Sequence, residues 1–483
     1  MVIRVIRFLL VTGAATAAVV YGTPMALLST PVVTPQVLDV SAKDLQVSCA
    51  GPTFVPGGKN QTSVSSFKRS ATASSSLTYS GKTDTSLKGY SAKAVTGFGV
   101  RQDLFKRISG ESSFVVLDET GKTPQGSELL SANQIQLASE KTIKGLLAAP
   151  CLRPQSEFWL VGGSTAVGRE ALLVLSNPTS IDSTIDLEIF TENGTSQSAG
   201  LTGIAVPANK TTVLPMSSFV VRAESLAVHV VSRGGSITAF IQQKAIRGNS
   251  ASGADYVSPA PQASNKAVIP GLLIRGSAYT AKFKAASDKY SDVEQALRVF
   301  VPGDKDATIT FQVLGTTSET FGTVLSVTAI AGKVTDFPIS GLADGDYFGI
   351  LDSDVPVHSS VRLVRSKTGS DAYTDFSWIN PAEGFTTPRY IAVPKAGISK
   401  LSVTNLSDKP TNISIKIGGE TIKRTIGASS TEVIRATPGL SMGVIPSDQE
   451  VLANLVIDID GRIGVLPVLD DKNISGQVKV SVH

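Results

Sequence analysis

The sequence predicts an all-β protein: tandem immunoglobulin-like β-sandwich modules behind an N-terminal transmembrane helix. Three observations predict it. Only 17% of the 483 residues are charged, and the chain is rich in Ser, Thr, Val, Ile and Gly, a composition that fits pleated, half-buried strands better than long helices. Runs of alternating apolar and polar residues, each broken by a Pro, Asn, Asp or Gly turn, recur in three successive stretches of chain, and alternation of this kind marks a strand with one buried face. Arg4 and Arg7 precede an uncharged apolar stretch, Phe8 to Leu28, just long enough to cross a bilayer core.

Residues 1–30 are read as a membrane anchor or signal peptide. A positive flank stays in the cytoplasm, so the expected location is the cell membrane, single-pass, with the N-terminus inside and the body extracytoplasmic. The alternative is secretion after cleavage. The small-residue site for it, around Ala15 to Ala18, would leave a very short apolar core, which favours the anchor. Residues 31–44 form a linker that Pro31 and Pro35 keep extended.

Residues 45–150 read as a β-rich N-terminal region with long loops. Within it, Ile135 to Ala148 fits either a short helix or a strand pair, because its period does not decide. The chain has two cysteines, Cys49 and Cys151. Outside the membrane thiols pair, so a disulfide is expected to staple this region to the first clear sandwich.

The repeat sets the remaining boundaries: sandwich 1 at 151–249, a linker at 250–290, sandwich 2 at 291–366, a connector at 367–388 and sandwich 3 at 389–483. Each copy opens with strand, turn, strand: Ala171 to Phe190, Ala296 to Val313 and Lys400 to Ile417. A middle strand follows, at Thr211 to Leu214, Lys333 to Phe337 and Thr431 to Ile434. A later strand pair closes each copy: Leu226 to Gln242, Tyr347 to Val364 and Asn454 to Leu469. Units of this size fit an immunoglobulin-like sandwich. A β-propeller is the alternative, but its blades would be shorter and more regular.

A net charge of +4 without a dense Lys/Arg run excludes nucleic acid as a partner class. Catalytic constellations are scarce. The histidines are His229, His358 and His483, too few and too scattered in sequence for zinc or a Ser–His–Asp triad, so neither metal nor cofactor is expected. His229 reads as a strand residue and Trp159 as core. Ser65-Ser66-Phe67-Lys68 and Lys367-Thr368-Gly369 match S-x-x-K and K-T-G by chance, since no helix or S-D-N element supports them. The acidic pairs Asp304/Asp306, Asp344/Asp346, Asp352/Asp354, Asp458/Asp460 and Asp470/Asp471 read as turn formers rather than Ca²⁺ loops. The sequon at Asn405, like the others, reads as composition. The remaining ligand-binding candidates are the aromatics of the 367–388 connector, Trp378, Tyr373 and Phe376, which could stack on a ligand or pack between modules.

Cys49-Ala50-Gly51-Pro52, Cys151-Leu152-Arg153-Pro154 and the stretch FWLVGGSTAVGREALLVLSNP, Phe158 to Pro178, carry a resemblance. Together they resemble an uncharacterised family of exported, membrane-anchored actinobacterial proteins known only as a domain of unknown function, over residues 40–270 and more weakly to the end. The resemblance brings no catalytic residues. Genes of such proteins often lie beside those of large membrane glycosyltransferases, so it implies such an enzyme or an envelope polysaccharide as partner. The expected function is a non-enzymatic extracytoplasmic envelope protein whose modules bind a protein partner or an envelope glycan. The alternative is a glycosidase-like envelope enzyme, which would need two facing carboxylates in a cleft.

Overall fold

The computed structural model describes residues 36–40, 45–56, 67–69, 73–80, 86–89, 104–108, 113–117 and 129–480, except 291, 318–321, 370–371, 418 and 470–475. The expected membrane segment lies outside the described residues, as does Ser65. Among the described residues no helix is long and apolar enough to cross a membrane. The chain divides into two units, residues 1–43 with 474–483, and residues 44–473. In the smaller unit Gln36–Val40 pairs antiparallel with Gly476–Val480.

The larger unit is all-β apart from one α-helix among the described residues, Ser277–Ala286, and short 3₁₀ turns. Its N-terminal region holds a four-stranded sheet ordered Lys144–Pro150, Leu129–Ser139, Ala73–Ser80, Leu104–Ile108. The segment that the period left open is therefore a strand pair, with Leu146 opposite Leu137 and Ala148 opposite Ile135.

Three sandwich modules follow, and all have the same strand order. In the first, one sheet runs Glu157–Val161, Leu226–Gly234, Ser183–Thr191, Gly194–Thr195. The other runs Lys210–Pro215, Arg169–Asn177, Thr238–Arg247, Ser250–Val257. With the short Ile204–Val206, which pairs with Ser183–Thr191 in the first sheet, left out of the count, strands one, six, three and four form one sheet, and five, two, seven and eight the other. The third module repeats this, with Arg389–Ala392, Ser441–Pro446, Thr411–Ile417, Glu420–Ile426 facing Ser430–Ala436, Ile398–Asn405, Val451–Ile459, Arg462–Pro467. The second module repeats it with its sixth and seventh strands fused. Gly345–Lys367 is one strand whose first part pairs with Ser264–Ile274 and Ala307–Gly315 and whose second part pairs with Ala296–Phe300 and Tyr373–Ile379. No glycine turn interrupts it, unlike the Gly234–Gly235 corner of the first module, so the chain passes from one sheet to the other without a hairpin.

The modules are two-layer sandwiches, as the sequence predicts, and not propeller blades. They differ from an immunoglobulin domain in strand placement: there strands six and seven share a sheet and strands one and four lie in the sheet of two and five, whereas here six and seven lie in opposite sheets and one and four lie in the sheet of three and six. Three sequence boundaries also change. The segments 250–290 and 367–388, expected as linker and connector, hold the eighth strands Ser250–Val257 and Tyr373–Ile379, and the former also holds the first strand of module two. In the third copy, Asn454 to Leu469 covers strands seven and eight, and the sixth is Ser441–Pro446.

The alternation read in each opening strand pair holds in its second member and not in its first. The third strands show burial in period two, as in Ser183–Thr191 and Ala307–Gly315. The second strands, such as Ala296–Phe300, are buried on both faces, because their outward faces are covered too: Phe300 meets Val161 and Ala227 of module one, and Leu172 and Val174 of module one meet Phe54 of the N-terminal region. The turn between strands two and three recurs in side-chain detail. Asn177 donates to the carbonyls of Ile181 (2.7 Å) and Val206 (3.0 Å) and accepts from Thr179 N and Oγ1. Asn405 donates to Lys409 O (2.7 Å) and Gly427 O (2.9 Å) and accepts from Ser407 N and Oγ. The Asn405 sequon is thus a structural turn with its asparagine fully buried. Asn405→Ala is expected to lower unfolding free energy by roughly 1–3 kcal/mol, since it orphans buried carbonyls and a backbone N–H. Urea denaturation reads it, and an unchanged midpoint would contradict the assignment.

Candidate functional site

The eighth strands lie at the centre of the larger unit. Ser250–Val257, Tyr373–Ile379 and Arg462–Pro467 come together there with Lys144–Pro150 of the N-terminal region, although the four belong to four different sheets. Each is a sheet edge, so its outward N–H groups lack a ladder partner, and buried backbone donors must be satisfied. Two carboxylates do this. Asp255 accepts from Ala148 N (3.2 Å), Trp378 N (2.8 Å) and Ser377 Oγ (2.9 Å). Asp375 accepts from Leu146 N (3.0 Å), Ala254 N (3.2 Å) and Ile463 N (3.3 Å). Between them they join the N-terminal sheet and all three modules. The approach is close enough to require glycine: a Cβ on Gly145 would stand 2.4 Å from Ala254 N. Burial pushes the Asp375 carboxyl up to about 7 and that of Asp255 well above the ordinary carboxylate range.

The cores interlock in the same order. Val364, Phe376 and Trp378 of module two sit in the core of module one, and Val456, Ile463 and Val465 of module three sit in the core of module two. Leu146 and Ala148 of the N-terminal hairpin sit in the core of module three, while Leu147 and Ala149 on the opposite face of the same strand pack toward Phe240 and Tyr256 of module one. Cys49 and Cys151 form the expected disulfide. It anchors the segment Ala50–Phe54, whose backbone is read by side chains: Gln134 bonds both N and O of Gly51, Gln242 both N and O of Phe54, and Tyr256 Oη donates to Gly51 O. The C-x-G-P element is therefore a clamped buried strap, and Gly51 takes the positive φ of 76° that it needs.

Modules one and two also share a buried cation. Arg298 of module two is fully buried, forks onto Asp336 (2.6 and 2.8 Å), donates to Gly163 O (2.6 Å) of module one and lies 4.5 Å over the Trp378 ring. Burial opposes ionisation of Asp336, but the guanidinium beside it holds its carboxyl below the usual range. Beyond it lies a ring stack that the sequence did not disclose. Trp159 stacks on His229 (4.3 Å) and on His358 (4.4 Å), with Phe300 at 5.4 Å. The two histidines are far apart in sequence, and no motif links them. His229 also contacts Glu188 and Glu157, at 2.9 Å each. Burial lowers His358 to about 4, so it is neutral at neutral pH, with Nδ1 at 3.1 Å from Pro261 O.

At one end of this junction each central strand runs into proline: Pro150, Pro259, Pro381 and Pro467. Proline cannot extend a ladder, so the chains diverge there and leave two adjoining cavities. The smaller, about 170 Å³, touches all four exits through Leu152, Pro259, Pro381 and Pro467, with Arg153 and Glu383 at its polar side. The larger, about 280 Å³, is bounded by Lys266, His358, Ser359 and Glu450. Pro261, Pro381 and Ala382 line both, so they form a single two-lobed trough. Asn380 ties its floor by donating to Ser258 O (2.8 Å) and Pro259 O (3.0 Å).

The aromatic ligand candidates lie elsewhere. Tyr373, Phe376 and Trp378 are buried at 5, 7 and 6% exposure. Phe376 and Trp378 fill the core of module one, Trp378 Nε1 donates to Gln243, and Tyr373 Oη donates to Asp460 O. The acidic pairs within the described residues have members engaged in turns and ion pairs: Asp306 accepts from Ala331 N, Asp344 from Gly276 N and Ser277 N, and Asp354 from Thr308 N, while Asp346 pairs with Arg275 and Lys400 and Asp458 with Arg365; Asp470/Asp471 lie outside the described residues. Lys367 of the K-T-G fragment pairs with Asp460 at 2.7 Å.

With this geometry in place, comparison with known proteins gives one family. The chain belongs to the Family of unknown function (DUF5719), which matches residues 109–437. Cys151 to Pro154 and Phe158 to Pro178 lie inside the matched stretch, and Cys49 to Pro52 lie before it. No curated protein matches the chain.

The raised Asp375 sets a pH dependence. Its carboxyl titrates at about 7 in the folded protein, against an ordinary value of 3.8. Between these values the folded chain holds a proton that the unfolded chain has released. The stabilising contribution is therefore full below pH ~4 and is lost as pH rises through ~7, by at most about 4 kcal/mol. Asp375→Asn, which keeps a neutral acceptor, is expected to flatten that decline in urea midpoints measured from pH 5 to pH 8. Parallel curves for variant and wild type would contradict it.

Proposed function

We propose that this protein is a non-enzymatic cell-envelope protein, held in the cytoplasmic membrane by Phe8 to Leu28 with its body outside, that uses the trough to recognise an envelope partner. The partner is a membrane glycosyltransferase or an envelope polysaccharide. The trough carries this reading, because its wall is built from the exits of all three modules and the N-terminal region. A ligand there would contact every part of a body that is fixed by buried carboxylates and interlocked cores, and preorganisation of that kind keeps the entropic cost of binding low. The Cys49–Cys151 disulfide fits an oxidising compartment.

One observation favours the glycan-active alternative. Glu383 and Glu450 bring two carboxylates to adjoining lobes, and a Cβ on Gly384 would stand 2.2 Å from the Glu450 carboxyl carbon. Both side chains are exposed, whereas a glycosidase acid sits in a pocket that raises its pKa. Recognition without turnover is the better reading.

A photo-crosslinking residue in place of Glu383, in the full-length protein in intact cells, is expected to trap one defined envelope component. The same residue in place of Val324, on the edge strand Thr323–Ala329, should trap none. Equal adducts from both positions, an adduct with a cytoplasmic component, or none from Glu383 would each contradict the proposal.

A further inference from the structure

We propose that the trough takes an extended peptide segment presenting an acidic side chain to Lys266 and a basic one to Glu450, an assignment that rests on the recognition reading above. The larger lobe, at about 280 Å³, is close to the lower end of small-ligand sites. Its rim is charged with both signs. Lys266 and Glu450 are exposed, and neither has an ion-pair partner among the described residues. A ligand of one sign would gain from one of them and be repelled by the other, so charge complementarity selects a ligand that carries both signs. The floor shared by the two lobes, Pro261, Pro381 and Ala382, is apolar and aliphatic, a surface suited to the side of an extended chain.

The walls favour peptide over sugar. Sugar rings are held by open aromatic faces, and the one aromatic side chain of the smaller lobe, Phe158, is 4% exposed and belongs to the core of module one. His358, the ring of the larger lobe, is itself 3% exposed and stacked on Trp159. What the walls do hold are single polar atoms. Ser359 Oγ in the larger lobe and Asn380 Oδ1 in the smaller are buried and have no hydrogen-bond partner. Because Asn380 Nδ2 donates to two carbonyls, its Oδ1 is fixed as an acceptor. Both atoms lie beneath the surface of the walls, so the charged rim and the apolar floor carry the binding of the peptide.

The test uses full-length protein in detergent and a panel of acetylated, amidated peptides holding one Asp and one Lys at increasing separation, in both orders. A matched panel carries Asn and Gln, and neutral oligosaccharides form a third set. Titration at low salt is expected to find an Asp/Lys peptide that binds, with one order preferred, and Lys266→Ala or Glu450→Gln should each weaken it about threefold or more. The double variant Lys266→Glu, Glu450→Lys should reverse the preferred order, a readout that mere loss of folding cannot produce. Equal binding of the Asn/Gln panel, an unreversed order in the double variant, or binding of oligosaccharides alone would overturn the proposal. If Glu383 crosslinks an envelope component in cells while every peptide fails, the recognition reading stands and this assignment falls.

Discussion

Every backbone donor that folding removes from water needs an acceptor, and here that constraint is hardest to meet where four sheet edges converge. An open edge invites another strand to pair with it. These edges meet without forming a common ladder, and the carboxylates of Asp255 and Asp375 take the place of the missing strand carbonyls. Each accepts from two or three chain segments at once. Gln134 and Gln242 use the same device on the strap behind Cys49, where an amide offers both donor and acceptor to the backbone. The alternative, unsatisfied amides in a dry junction, would cost roughly 1–3 kcal/mol apiece.

The interlocked cores follow from that junction. Modules drawn together through their eighth strands are close enough for Trp378 to enter the core of one neighbour and Ile463 that of another. Burying the strands also raises the two aspartates that hold them, since desolvation disfavours their charged forms. The junction therefore carries an internal cost, offset by hydrogen bonds and by the apolar area that the interlocking removes from water.

The sequence discloses most of the β content and hides this centre. Alternation over Ala307–Gly315 and Thr411–Ile417 is plain, because one face of each strand is apolar and the other wet. The two-cysteine count, with Cys49 and Cys151 both beyond the membrane segment, was enough to expect their bridge. The eighth strands do not alternate. SASGADYV reads as linker because Ser, Gly and Asp are turn formers, yet seven of its eight residues are buried, small so that other strands can approach and polar so that Asp255 can bond across the gap. The strand count of the third copy slipped for a related reason: Asp460-Gly461 marks a hairpin, but nothing local says which pair of strands it joins. The trough was out of reach altogether. Pro259, Pro381 and Pro467 punctuate segments far apart in the chain, and only the repeated strand order brings them to one end of the junction. The pairing of His229 and His358 around Trp159 was hidden in the same way.

If the eighth strands and their carboxylates bind the three sandwiches into one body, residues 44–473 should unfold as one cooperative unit despite a length that ordinarily divides into several domains. Differential scanning calorimetry of the full-length protein under oxidising conditions tests this most directly. A body held together in this way melts in a single transition, with a calorimetric enthalpy equal to the van't Hoff enthalpy. Separate transitions, one for each sandwich, would show that the modules are strung together and that the junction is no more than contact between independent domains.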